Sequence, residues 1–115
     1  VIGRAARFRN ALDRVFPFPS HIAETLPDET MVCRCEGLTA GDIRRTVIES
    51  GESDINRIKA FCRLGMGRCQ GRICAPTAAE LIAATARVDI SAVGRLRGQA
   101  PTKPMPLKHL AEIGR

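Results

Sequence analysis

Apolar residues recur at helical spacing in several stretches of this chain, and Pro, Gly and capping residues mark the breaks between them. Over residues 2–16, Ala5, Phe8, Leu12 and Val15 fall on one stripe, with Arg4, Arg7, Arg9 and Arg14 largely off it. That pattern predicts an amphipathic helix. Phe16-Pro17-Phe18-Pro19-Ser20 ends it, because each proline disfavours helix in the residue before it. A lone helix of this length is marginal in water, so it is expected to pack on the domain or on a partner. Ser20–Leu26 reads as a further helical turn with Ser20 as candidate N-cap, and Pro27-Asp28-Glu29 as a turn.

Thr30–Cys35 is short and extended. Thr39 is the next candidate N-cap. Asp42 adds negative charge to the first turn, and Ile43, Val47 and Ile48 follow at helical spacing until Gly51 stops the helix. Ser53 or Asp54 caps a second helix with Ile55, Ile58, Phe61 and Cys62 on its inner face. Leu64-Gly65-Met66-Gly67 breaks it. Both glycines are expected at positive φ, where they turn backbone N–H groups towards nearby sulfurs. Cys74-Ala75-Pro76-Thr77 opens a third helix, since Pro is favoured in a first turn, and Leu81, Ile82 and Ala84–Ala86 carry it to the region of Arg87. Asp89–Val93 reads as one more short helical element, capped by Asp89 or Ser91. Residues 95–106, with Pro101, Pro104 and Pro106, read as extended, and Leu107–Ile113 as a closing turn. Such a tail is expected to lie across another surface.

Composition narrows the picture. The 115 residues are 44% hydrophobic, but with four Phe and neither Tyr nor Trp the core is built from Leu, Ile, Val, Ala and Met. A core that small calls for a staple, such as a metal site or a partner surface. No run approaches the roughly 18 apolar residues of a membrane span, and the Arg-rich opening is unlike a secretory signal. The expectation is a cytoplasmic chain. Five cysteines is an odd count for a disulfide framework, and in that compartment clustered cysteines are more often ligands.

Those cysteines carry the chemistry. Cys33 and Cys35 form a C-x-C pair, Cys69 and Cys74 a C-x4-C pair, and a helical segment over residues 36–68 folds the pairs together. Four thiols so arranged suit a four-coordinate metal centre, with a [2Fe–2S] cluster as the first reading and zinc as the rival. Zinc sites mostly use C-x2-C knuckles and often His. Cys62 falls on the apolar helix face and reads as a packing residue. His21 and His109 lie far from the pairs and read as surface side chains, while Met66 is expected to pack over the centre.

The net charge is +6. Arg34, Arg44, Arg45, Arg57, Lys59, Arg63, Arg68 and Arg72 crowd the cysteines in sequence, and cations there favour an anionic centre; a plain solvated surface is the alternative. Nucleic acid is not expected as a partner, since stacking aromatics are missing. No Ser/His/Asp set, phosphate loop or dinucleotide fingerprint is present, so catalysis by this chain alone is not expected.

Val32-Cys-Arg-Cys-Glu36 followed by Gly65-Met-Gly-Arg-Cys-Gln-Gly-Arg-Ile-Cys74 resembles the [2Fe–2S] domain related to bacterioferritin-associated ferredoxin. The likeness is greatest to the version in the larger subunit of bacterial FAD-dependent opine oxidases, hydroxyproline dehydrogenases and sarcosine-oxidase-like enzymes. It covers residues 30–87 in its core, and the flanking helix and Pro-rich tail resemble the same subunits. The resemblance implies a small all-α helix–turn–helix domain with Cys33, Cys35, Cys69 and Cys74 as cluster ligands. It also implies flavin-containing partner subunits carrying FAD, with FMN as a second candidate flavin. Those larger subunits have a dinucleotide-binding region ahead of the cluster domain. This chain shows none, and is expected to be a separate small subunit or a piece of the larger one.

The expected organisation is therefore an N-terminal amphipathic docking helix and linker over residues 1–29, a [2Fe–2S]-binding domain over 30–94, and an extended Pro-rich docking tail over 95–115. The expected function is electron transfer within a flavin-dependent amino-acid or opine (secondary amine) dehydrogenase or oxidase complex. Alternatives are a free-standing ferredoxin serving an iron-storage protein and a structural zinc module.

Overall fold

A computed structural model describes residues 2–16, 21–99 and 106. The expected N-cap at Ser20, the surface role of His109 and the Leu107–Ile113 turn lie outside these residues, as does most of the Pro-rich tail. The elements are α1 (Ile2–Val15), a 3-10 turn (Ile22–Thr25), β1 (Met31–Cys33), β2 (Leu38–Thr39), α2 (Ala40–Ser50), α3 (Ile55–Cys62), α4 (Ala75–Ala86) and α5 (Ile90–Val93). The architecture is mainly helical, as expected. The residue pattern did not foretell the two-stranded antiparallel hairpin that joins β1 to β2, with Met31 opposite Thr39 and Cys33 opposite Leu38. Strands of three and two residues are too short to show a period of two.

Local chemistry sets the helix ends. Thr39 caps α2 in a reciprocal box: its hydroxyl accepts the Asp42 N–H at 3.2 Å, while the Asp42 carboxylate accepts the Thr39 N–H at 3.0 Å. Those hydrogen bonds, with Arg45 alongside, hold the Asp42 carboxyl below its usual range. Gly51 closes α2 at φ 66°. Asp54 caps α3 through the N–H groups of Asn56 (2.8 Å) and Arg57 (3.0 Å), and Asp89 caps α5 through that of Ser91 (2.8 Å).

The core lies where α2 crosses α4, with α3 and α5 closing its sides. Ile43 and Val47 of α2 meet Ile55 and Ile58 of α3, Ala78, Leu81 and Ile82 of α4, Leu64 and Val93. Two expected core positions face outward: Ile48 is 72% exposed and Phe61 58% exposed. At about 100° per residue, each lies roughly 110° from the centre of its helix's buried stripe. The place expected for Phe61 is taken by Lys59, whose stem is buried and whose Nζ donates to the Arg97 carbonyl at 2.7 Å. The 3-10 turn is pinned to α4 by buried Glu80, which accepts the Ala23 N–H at 3.2 Å. On α1, Phe8, Leu12 and Val15 are all exposed, as are the other described residues of the helix apart from half-buried Ala6.

Candidate metal centre

The two cysteine pairs meet at one end of the α2–α4 core. β1 delivers Cys33, which is buried, and the loop turned by Gly37 (φ 69°) presents Cys35, which is exposed. The extended segment thus stops two residues short of the second cysteine. On the other side, the loop after α3 carries Cys69, half-buried, and ends at Cys74, buried at the N-cap of α4. The Cys74 side chain caps no helical N–H. Its thiol faces Cys33 instead.

All four expected ligands line one pocket of about 130 Å³, together with Met31, Val32, Arg34 and Ile73. Sulfurs approach one another across the loops: Cys35 Sγ lies 3.9 Å from Cys69 Sγ. Sequence reasoning paired cysteines by closeness along the chain, whereas in space the contacts run across the loops. Among the described residues no three His, Cys, Asp or Glu side chains converge as tightly as one bound ion requires. The four thiols share the wall of that pocket. Four sulfur donors with no oxygen or nitrogen ligand side chain lining that space fit the donor set of a [2Fe–2S] cluster.

Electrostatics differ from one thiol to the next. Backbone N–H groups of Ile73, Gly71 and Arg72, with the Cys35 thiol, lower the pKa of Cys69 and favour its thiolate. Burial, reinforced by the nearby Cys33 and Cys69 sulfurs, pushes Cys74 up to about 12. A bound metal must displace that proton. The N–H donors thus come from residues 71–73, a difference from the expected role of Gly65 and Gly67. Of those two only Gly65 has positive φ, at 70°. Gly67 is required for space: a Cβ there would overlap the Cys35 Cβ.

The other candidate residues play different parts. Cys62 is half-buried, donates its Sγ hydrogen to the Ile58 carbonyl at 3.2 Å, and has its pKa raised by burial, as a packing thiol should. His21 is exposed and paired with Glu24 at 2.6 Å, which raises its pKa. Met66 is half-buried and does not line the pocket; Met31 and Ile73, 50% and 78% exposed, rim it instead. Several expected cations are engaged elsewhere: Arg44 with Asp28, Arg45 with Asp42, Arg57 with Glu52 and Arg63 with Glu36. Arg34 lines the pocket, and Arg72 donates to the Cys69 carbonyl at 3.2 Å. The Arg63–Glu36 pair, at 2.8 Å, ties the first cysteine loop to the end of α3, and nothing in the residue spacing signalled it.

Comparison with known proteins defines the class. Residues 31–84, just under half of the chain, match the family of BFD-like [2Fe–2S] binding domains. It is 39% identical over 110 residues to the A subunit of opine oxidase from Rhizobium meliloti, an alignment covering 96% of this chain and 21% of that protein. It is 38% identical over 109 residues to the HcnB subunit of hydrogen cyanide synthase from Pseudomonas aeruginosa, covering 94% of this chain and 23% of that protein. A shorter match, 42% identical over 55 residues, reaches the A subunit of anaerobic glycerol-3-phosphate dehydrogenase from Haemophilus influenzae, covering 48% of this chain and 10% of that one. The chain thus spans about a fifth of the length of the first two relatives. No solved structure matches it significantly.

Proposed function

We propose that this chain is the electron-transfer module of a flavin-dependent oxidoreductase complex that oxidises an amino acid or opine at its C–N bond. The observation that carries the reading is the single pocket lined by Cys33, Cys35, Cys69 and Cys74 within the family-matched stretch. These four cysteines are the proposed ligands. A bound [2Fe–2S] cluster supplies reversible one-electron chemistry, which couples a two-electron flavin to single-electron carriers. The chain's own residues do the rest. N–H groups of Gly71, Arg72 and Ile73 face the Cys69 sulfur and offset its negative charge. Arg34 adds positive charge beside the thiols. Met31 and Ile73 form an apolar rim around exposed Cys35, the side on which a redox partner can approach.

The choice of complex rests on the flanks. Alignments to the opine oxidase and hydrogen cyanide synthase subunits run through nearly the whole chain, whereas that to the glycerol-3-phosphate dehydrogenase protein reaches about half. Arms on both sides of the cluster domain suit a docked module better than a free ferredoxin. We place residues 1–29 and 95–115 as the docking arms, with their inner ends, Ala23 and Leu96, anchored on the domain itself, flavin-bearing subunits with FAD as the partners, and the cytoplasm as the compartment. No helix among the described residues is long and apolar enough to cross a membrane.

Iron, acid-labile sulfide, zinc and flavin analysis of the chain purified with its companions tests this. Equal iron and sulfide, two of each per chain, with flavin in the same fraction, is the expected result. Stoichiometric zinc without sulfide overturns it.

A further inference from the structure

After α5 the chain turns at Gly94 and runs back over the second cysteine loop. Residues 95–99 have no regular secondary structure, yet specific contacts fix them. Asn56, in the first turn of α3, engages the backbone on both sides of Leu96. Its amide donates to the Arg95 carbonyl at 3.1 Å, and its carbonyl oxygen accepts the Arg97 N–H at 2.9 Å. Together these bonds set the register, since a slip of one residue would lose both. Buried Lys59 donates to the Arg97 carbonyl at 2.7 Å. Further on, the Gln99 N–H donates to Gln70 Oε1.

The last of these contacts is made with the loop that carries Cys69. The Gln70 amide donates to the carbonyls of Met66 (3.2 Å) and Gly67 (3.1 Å), so one side chain joins loop and segment. Gln70 itself sits at φ 52°, a left-handed conformation that is strained in a residue with a side chain. Leu96 packs against the hydrophobic core and presses into the loop. A Cβ on either Gly65 or Gly71 would overlap Leu96 Cδ2. Those glycines, at φ 70° and 78°, bracket Cys69. The segment lies outside the family-matched residues 31–84.

We propose that residues 95–99 are a strap that sets the shape of the second cysteine loop, with Leu96 and Asn56 as positioning residues for Cys69. The holding of the loop stands on these contacts; its consequence for a bound cluster rests on the function proposed above. Hydrogen bonds to cluster sulfurs tune both retention and potential, so a loop held from outside passes on whatever happens to the tail.

The test uses the full chain as purified, with Leu96→Ala and Asn56→Ala made separately. Amide hydrogen exchange reads the loop, and the half-life of visible absorbance under an iron chelator reads cluster retention. The strap predicts exchange faster by about tenfold across residues 65–73 in both variants, with residues 40–50 of α2 unchanged. It also predicts a half-life shortened several-fold. Unchanged exchange at 65–73 overturns the strap. So does an equal rise in α2 and α4, which would make Leu96 an ordinary core residue. Faster exchange with an unchanged half-life overturns the positioning of Cys69 for the cluster. If the wild-type chain holds no iron or sulfide, the function proposed above falls, and the exchange measurement alone decides the strap.

Discussion

Gly67 and Cys35 touch across the two cysteine loops: a Cβ on Gly67 would overlap the Cys35 Cβ and lie 3.1 Å from its Sγ. The loops can therefore approach closely enough to share a metal group only if position 67 lacks a side chain. Gly67→Ala is expected to cost about 1–3 kcal/mol through overpacking and to lower the bound iron and sulfide. Thermal unfolding and metal analysis check both, and a variant with wild-type iron would show that the approach is not required.

The five cysteines divide four to one. Cys69→Ser and Cys33→Ser are expected to lose most of the bound iron, because metal binding needs the full ligand set. Cys62→Ser keeps a donor for the Ile58 carbonyl and is expected to retain iron with a stability change within about 1 kcal/mol. Visible absorbance per mole of chain distinguishes the cases.

Without metal the thiols should differ in reactivity. Cys69 is half-buried with a lowered pKa, whereas Cys74 is buried with its pKa pushed up to about 12. In the cluster-stripped chain near pH 8, iodoacetamide is expected to modify Cys69 faster than Cys74 by about tenfold or more, since the thiolate is the nucleophile. Peptide mass spectrometry over a time course gives both rates.

The α2 cap makes stability depend on acid. Its hydrogen bonds from Thr39 depress the folded pKa of Asp42, so this contribution is present above the unfolded carboxyl pKa and is lost as pH falls through the folded one. Thr39→Val removes the hydroxyl half of the box and is expected to cost about 1 kcal/mol at neutral pH. The cost should shrink below pH ~4, where Asp42 begins to protonate in the unfolded chain. Denaturant unfolding at several pH values measures it.

A backbone prediction is independent of any metal. Arg87 closes α4 at φ 56°, where a side chain is strained and glycine is not. Arg87→Gly is expected to raise stability by roughly 0.5–1 kcal/mol, read as an increase in melting temperature.

Much of this was legible in the sequence because short-range chemistry writes it. The capping residues Thr39, Asp54 and Asp89, the stop at Gly51, and the apolar spacing of Ile43, Val47, Ile55 and Ile58 each act within a few residues. What escaped depends on distant residues. Phe61 reads as core by its spacing, yet Lys59 takes the inward position, where the Arg97 carbonyl, far along the chain, accepts a hydrogen bond from its Nζ. Gly67 looks like a flexible turn residue, but its reason is the Cys35 side chain on another loop. The cross-loop approach of Cys35 and Cys69 likewise has no local signature.

The proposed role stands or falls on whether Cys33, Cys35, Cys69 and Cys74 together hold a one-electron [2Fe–2S] centre. The direct measurement is an anaerobic visible and EPR spectrum of the chain before and after dithionite. Such a centre predicts a brown, EPR-silent oxidised sample that bleaches on reduction and gains the signal of one unpaired spin per chain, absent in Cys69→Ser. A colourless sample, EPR-silent in both states and containing stoichiometric zinc, would contradict it.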